Sequence, residues 1–161
     1  MYNSSNKIAG WNMAFQNDIV VYDASGQLAL AVEVKNRRGT NVEWAAQMRQ
    51  NLLTHSLVHA PYFLLALPDH FYLWVNKEQS TAVNPDYAID PLPFLKPYLG
   101  ASVVPEYLSE IGFEMVVEAW LASLTWADEL PNNVADNSDW LVKSGLFAVL
   151  KQGRLASEIT L

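Results

Sequence analysis

Asp18 to Lys35, DIVVYDASGQLALAVEVK, is the segment with the clearest structural signal in the chain. Ile19–Tyr22 and Leu28–Val34 are runs of β-branched, aromatic and aliphatic residues, and the turn residues Asp-Ala-Ser-Gly stand between them. This arrangement is typical of an antiparallel β-hairpin. With Ser25-Gly26 at the centre of the turn, the numbers of directly opposed residues sum to 51, and this register determines which side chains face each other.

Two acids and a lysine converge at the open end of this hairpin. Asp18 falls directly opposite Glu33, and opposed side chains have Cβ atoms about 4.5–5.5 Å apart. Lys35 lies two residues beyond Glu33 and therefore points to the same face. Opposed carboxylates repel each other, and a Mg²⁺ ion, which takes carboxylate oxygens and keeps several waters, would remove that penalty. Asp23, the other acid of the stretch, lies opposite Leu28 at the turn.

The alternation of side chains supports this register. The face with the three charged residues also carries two alanines, which leave room beside the acids. We expect the other face to lie in the core, because it carries Ile19, Val21, Leu28, Leu30, Val32 and Val34. Since the side-chain period of a strand is two, a slip of one residue would move every one of these side chains to the wrong face.

The pattern Asn17-Asp18 on one strand and Glu33-Val34-Lys35 on the next resembles the PD-(D/E)XK nuclease superfamily, with Asn17 in place of the proline. The resemblance covers about the first half of the chain and implies an α/β fold with a mixed β-sheet, the restriction-endonuclease-like core. It implies that Asp18 and Glu33 bind Mg²⁺ or Mn²⁺ and that Lys35 positions the attacking water. Because the motif is short, the alternative is an exposed hairpin end with an ordinary Glu–Lys pair.

A helix is predicted after the hairpin, from about residue 41 to residue 57. Thr40 and Glu43 match a capping box, in which a Thr N-cap pairs with a Glu at the third helical position. Gln47 lies in the second turn, and the resemblance implies that it orients the catalytic site. The alternative for Gln47 is a surface residue with good helix propensity.

A second hairpin and a helical region are predicted for the rest of the chain. Tyr62–Leu67 and Phe71–Val75 flank a turn and are apolar on both faces, so we expect central or covered strands. A long ordered connection follows, over residues 77–97. We expect helices over about 105–112, 113–127 and 138–151, a weak edge strand over 155–161, and core positions for Trp120, Trp126 and Trp140, which recur at helical spacing.

The 161 residues are interpreted as one domain, with a nuclease-like core over about 8–76 and a helical C-terminal addition, including the connection, over about 77–161. Hydrophobic residues make up 51% of the chain, which is typical of a packed domain. There is no cysteine, which excludes a disulfide framework. His55 and His59 share a helix face at a zinc-binding spacing, but without a third ligand we prefer a role in stabilising the helix end.

No signal peptide or membrane span is predicted, so we expect a cytoplasmic protein without a membrane partner. The net charge of −7 is unevenly distributed, since residues 1–60 carry five basic and four acidic side chains whereas residues 100–161 carry three and nine. Arg37, Arg38 and Arg49 lie near the motif and are the candidate contacts to nucleic acid, for which we expect DNA. A solvated strand end is the alternative explanation for these arginines.

The function expected from this resemblance is a Mg²⁺-dependent phosphodiesterase, an endonuclease acting on DNA. The alternative is a catalytically inactive nuclease-like module for interaction or regulation. Members of the family usually have a helix before the first strand, and this helix often contributes another acid to the site. The first 17 residues of this chain contain no acid, and this departure favours the inactive module. The intact residues Asp18, Glu33 and Lys35 favour the enzyme.

A homodimer is also expected. Trp11, Met13 and Phe15 alternate with polar or small residues, as in the opening strand of a sheet. Without the family's first helix, a face of the sheet beside these residues would stay uncovered, provided that the C-terminal helices pack at the far edge. An exposed apolar patch of this kind usually marks an interface, so we expect Trp11 and Phe15 at or near a two-fold contact.

Overall fold

A mixed β-sheet with helices on both faces forms the part of the chain that the computed structural model describes, residues 18–54, 59–78, 80–101, 103–130 and 139–157. Six strands are hydrogen-bonded in the order β5-β4-β3-β2-β1-β6, and every neighbouring pair is antiparallel except β2 and β3. The fold is therefore α/β, as expected.

The strands and helices follow the chain in the order hairpin, helix, hairpin, then helices. The strands are β1 Ile19–Tyr22, β2 Leu28–Val34, β3 Tyr62–Ala66, β4 Phe71–Val75, β5 Tyr87–Ile89 and β6 Arg154–Ala156. The helices are α1 Val42–Thr54, α2 Leu92–Leu95, α3 Glu110–Trp126, α4 Asp139–Lys143 and α5 Leu146–Leu150, with single 3₁₀ turns at Lys96–Tyr98 and Pro105–Tyr107.

The register expected for the first hairpin is confirmed over most of β1. Ile19 pairs with Val32, and Val21 with Leu30, but a bulge after Val21 shifts the pairing by one residue near the turn. The turn is consequently centred one position earlier than expected. Gly26 N donates to the carbonyl oxygen of Asp23 over 2.9 Å, so that Ala24 and Ser25 are the central residues, and Gly26 itself has φ +88°.

Helix α1 connects β2 to its parallel neighbour β3 and covers one face of the sheet. Ala45 and Leu53 of α1 pack with a buried cluster on that face, which includes Ala31, Phe63, Leu65, Leu67, Tyr72 and Trp74. The predicted capping box is wrong. The side chain of Asn41 accepts the N–H of Trp44 over 2.8 Å and therefore caps the helix, whereas the Thr40 hydroxyl bonds to the Tyr72 hydroxyl, also over 2.8 Å.

The C-terminal helices cover the opposite face of the sheet, which corrects the expectation that they pack at its far edge. The apolar hairpin face, with Ile19, Val21, Leu30, Val32 and Val34, lies in one buried cluster with residues of α2, α3, α4 and α5. A helix of this chain thus occupies the place where an uncovered face was expected. The homodimer stays a prediction, but this reason for it no longer holds.

An aromatic group joins these helices to the sheet. The ring of Trp120 lies 4.9 Å from Phe94, 5.5 Å from Phe71 and 6.1 Å from Trp140, measured between centroids. The core positions predicted for Trp120 and Trp140 are therefore confirmed. The prediction for Trp126 is wrong, because 87% of this residue is exposed.

The other boundaries were predicted less well in the helical region. The helix at 105–112 is only a 3₁₀ turn, and α3 begins at Glu110 with Ser109 as its N-cap, so Gly112 lies inside a helix. The last helix is divided into α4 and α5 at Gly145, whose φ is +82°. Trp11, Met13, Phe15 and His55 lie outside the described residues. No helix of the described part is both long enough and apolar enough to cross a membrane.

Edge strand β6 depends on a glycine. A Cβ atom at Gly153 would collide with the carbonyl oxygen of Tyr22 and would lie 3.0 Å from that of Leu150. We predict that Gly153→Ala lowers the free energy of unfolding by about 1–3 kcal/mol, because a backbone shift must open the β1–β6 contact. Urea denaturation measures this change. In the control Gly100→Ala the new atom meets only the side chain of Val103, and an equal loss of stability in both variants would contradict the prediction.

Candidate functional site

Asp18, Glu33 and Lys35 meet at the end of the first hairpin. Asp18 immediately precedes β1, Glu33 is the penultimate residue of β2, and Lys35 directly follows β2. The N–H of Val34 donates to Asp18 Oδ2 over 2.8 Å, which fixes the aspartate carboxylate against the neighbouring strand. The two acids and the lysine therefore lie together, as the register predicts.

The carboxyl group of Glu33 is nearly removed from solvent. Its side chain is 5% exposed, and its Oε2 atom pairs with Lys35 Nζ over 3.1 Å. Its Oε1 atom is buried and has no hydrogen-bond partner within the described part of the chain. A buried carboxylate oxygen without a partner is costly, so this atom is a position where a proton, a water molecule or a cation would be stabilising.

The pKa values of all three groups are raised, by burial for the two acids and by neighbouring charge for the lysine. Burial, followed by the negative charge of Asp18, raises the pKa of Glu33 to about 8. Burial also raises the pKa of Asp18, although the Val34 N–H and the Lys35 ammonium act in the opposite direction. Burial alone would lower the pKa of Lys35, but the adjacent carboxylates outweigh it and the pKa is raised. Two acids that ionise reluctantly beside a firmly charged lysine are typical of a functional site.

Two further acids reach this site from α3, and the sequence did not identify them. Glu110 Oε1 accepts the N–H of Asn36 over 3.2 Å, next to Lys35. The charge of Glu110 contributes to the raised pKa values of Asp18, Glu33 and Lys35. Glu114, one turn further along, has a pKa raised by burial and by the charge of Asp18. Their four-residue spacing on one helix was visible, but nothing local connected that helix to the hairpin.

Few side chains at this site could bind a metal ion. Among the described residues, no three His, Cys, Asp or Glu side chains are grouped so that they could hold a metal ion. Asp18 and Glu33 therefore make a two-carboxylate pair. Mg²⁺ is commonly bound through one or two carboxylates, with waters and substrate phosphate oxygens completing its coordination, so the pair suits this ion better than Ca²⁺ or Zn²⁺.

Gln47 is not brought to the pair. Its side chain is exposed, and its amide donates to Asn51 Oδ1 over 3.1 Å and to Gln50 Oε1 over 3.4 Å, both on its own helix. These contacts fit the alternative of a surface glutamine. A role for Gln47 in orienting the site stays a prediction, since it would require a different side-chain position.

The three arginines divide into two kinds. Arg37 and Arg38 are exposed in the segment that follows Lys35, and the Arg37 guanidinium lies 5.1 Å from the Trp44 ring centroid. Arg49 is 2% exposed, stacks over Trp74 at 5.6 Å and donates to the Lys77 carbonyl. The nucleic-acid contact expected for Arg49 is therefore corrected, because a guanidinium inside the α1 layer is not presented to a ligand.

The segment that carries Arg37 and Arg38 is held against the second hairpin. Asp69, in the turn between β3 and β4, accepts the N–H of Gly39 over 3.0 Å. The hydroxyl pair of Thr40 and Tyr72 forms a second attachment. These contacts anchor the two residues that directly follow Arg37 and Arg38.

Comparison with models of known protein families, with curated protein sequences and with solved structures found no match to the chain.

The raised pKa of Glu33 predicts that stability falls as the pH rises. Between about 4.5 and 8 the folded protein holds a proton that the unfolded chain has released. The contribution of this group is therefore complete below pH 4.5 and is lost toward pH 8, at up to about 1.4 kcal/mol per pH unit. Glu33→Gln should flatten this part of the profile, as measured by urea unfolding in metal-free buffer.

Glu78→Gln is the matched control, because it makes the same change of side chain at an exposed position away from the acid pair. If the Glu33→Gln variant keeps the full slope of the wild-type protein, the buried carboxyl group is not its source.

Proposed function

We propose that this protein is a Mg²⁺-dependent phosphodiesterase that acts on DNA as an endonuclease. The observation that carries the proposal is the convergence of the Asp18 and Glu33 carboxyl groups with the Lys35 ammonium at one end of the hairpin. The two carboxylates can serve as ligands for a divalent cation, and the lysine can supply a positive charge beside the reacting phosphate. Metal-dependent hydrolysis of a phosphodiester uses both kinds of group.

The arrangement of strands supports a restriction-endonuclease-like core. The antiparallel hairpin β1–β2 carries the acids, α1 follows it, and β3 lies parallel to β2. This order matches the element order that the motif implies. The helical addition differs from that pattern, since it supplies the layer on the second face of the sheet.

Mg²⁺ fits the site on the chemistry of the donors. Glu33 Oε1 is a buried oxygen with no hydrogen-bond partner among the described residues, and Asp18 presents a second hard oxygen ligand at the same end of the hairpin. When bound, the ion supplies a Lewis acid that lowers the pKa of a water molecule. Asp18 and Glu33 would hold it, and Mn²⁺ could replace it because it prefers similar ligands.

In this proposal Lys35 positions the attacking water and stabilises the negative charge that develops on the phosphate. Its ammonium is already fixed by Glu33 Oε2, and it remains partly exposed, at 39% of its side-chain area. A donor held in place before the reaction costs no reorganisation in the transition state. Arg37 and Arg38 would bind the neighbouring phosphates of the DNA backbone.

A second candidate function, an inactive nuclease-like module, is favoured by Glu110 and Glu114. These acids add negative charge beside the pair, and they would oppose the approach of a polyanion. The same positions in an active enzyme would instead increase the attraction for a cation. Cleavage and metal binding therefore distinguish the two functions.

Plasmid cleavage in the presence of Mg²⁺ or Mn²⁺ tests the enzyme. We expect the wild-type protein to nick or linearise the DNA and Lys35→Ala to lower the rate by about 100-fold or more, because a charge-stabilising group is lost. Lys77→Ala is the control, since Lys77 has nearly the same exposure and also pairs with an acid, Asp86, at 3.0 Å. Equal rates for the two variants, or no cleavage by the wild-type protein, would favour the inactive module.

Thermal unfolding tests metal binding separately from catalysis. A cation that binds only the folded state adds about 2.7 kcal/mol at 100 times its Kd, so millimolar Mn²⁺ should raise the Tm by several degrees. Asp18→Asn should abolish this rise, because it removes one of the two anionic ligands. A wild-type Tm that does not move with Mn²⁺ would contradict the proposed site.

A further inference from the structure

Helix α3 is apolar on two opposite sides. One side, with Phe113, Val117, Trp120, Leu121 and Leu124, is buried against the sheet. The other side carries a row that we name the α3 stripe, which consists of Ile111, Met115, Ala119, Ala122 and Trp126. Its members are spaced by three or four residues, so they share one helix face and extend over about 22 Å.

The α3 stripe is open to solvent. Ile111 is 75% exposed, Met115 is 65% exposed and Trp126 is 87% exposed. Tyr107, in the 3₁₀ turn just before the helix, is exposed to a similar degree. Surface helices normally present charged or polar residues on the side away from the core, and a helix that is apolar all round is normally covered all round. A row of large apolar side chains at the surface therefore indicates a contact with another molecule.

The charge around the α3 stripe indicates the chemistry of that molecule. Residues 107–130, which contain α3 and the turns at its two ends, carry five acidic residues and no Lys or Arg. Glu118 is exposed on the same side of the helix, and Glu110 is exposed at its beginning. A partner that covers the stripe must bring apolar side chains to the row and positive charges to its acidic border.

We infer that the α3 stripe is a docking surface for an amphipathic segment of another protein, with an apolar face bordered by Lys or Arg. A helix laid along α3 suits the length and straightness of the row, since recognition of this kind uses apolar anchors at every third or fourth position. The two alanines near its centre let a partner backbone approach closely, between Met115 and Trp126.

A second copy of this chain is a poorer occupant. Two α3 stripes facing each other would bring Glu114 and Glu118 of both copies together, with no positive charge on either helix to compensate. The docking surface is independent of the proposed nuclease activity, although it begins one residue from Glu110 and so lies next to the acid pair.

Fluorescence anisotropy with a labelled synthetic peptide tests this inference. The probe is an amphipathic helical peptide of leucine and lysine, and the reference peptide replaces every lysine with glutamate. We expect the lysine peptide to bind the full-length protein and to weaken with salt, while the glutamate peptide does not bind. The double variant Ile111→Gln/Met115→Gln should weaken binding of the lysine peptide at least about tenfold, because it removes two apolar anchors.

Val142→Gln is the matched control, since Val142 is also apolar and 62% exposed but lies on α4. It should bind the lysine peptide as the wild-type protein does. Equal binding by the double variant and the wild-type protein would overturn the inference, because attraction to acidic residues alone would then account for it. Absence of binding would overturn it too, as would a wild-type dimer in sedimentation equilibrium that the double variant converts to a monomer.

Discussion

The antiparallel register between β1 and β2 positions both the core face of the first hairpin and the acid pair at its end. Side chains alternate along a strand, so one choice of register places Ile19, Val21 and Val32 on one face and Glu33 on the other. That choice sends the apolar face toward the C-terminal helices and brings the Glu33 carboxyl group to Asp18. The bulge after Val21 lies toward the turn and leaves the pairing at the acid end undisturbed.

Burial of Glu33 links the fold to the proposed chemistry. The sheet and its covering helices exclude water from this carboxyl group, and the nearby charge of Asp18 adds to the cost of ionising it. Two acids held close together in this way resist full ionisation, and the proposed cation would reduce the repulsion between them. Glu110 of α3, whose Oε1 accepts the N–H of Asn36, adds a further negative charge that raises the pKa of Glu33.

Helix α3 takes part in both proposals, because one helix has three distinct sides. Its buried side completes the core, its first two turns bring Glu110 and Glu114 to the acid pair, and its outer side presents the α3 stripe. The acidic residues of this region are therefore not confined to a surface remote from the site. Their charge reaches the site itself, because Glu110 and Glu114 interact electrostatically with Asp18, and Glu110 also with Glu33.

Alternation and turn residues are local signals, so the amino-acid sequence was enough to predict the hairpin, its register beside the acids and the order of the first four strands around α1. The same signals predicted the meeting of Asp18 with Glu33 and Lys35. The positions of Glu110, Arg49 and Trp126 became known only from the packing of the folded chain. Their surroundings come from distant segments: α3 packs back on the first hairpin, Arg49 is enclosed beside Trp74, and Trp126 is left on the outer side of its helix. Helical spacing identifies residues that share a face. Whether that face is buried against the sheet or exposed to solvent depends on contacts between segments that are far apart in the chain.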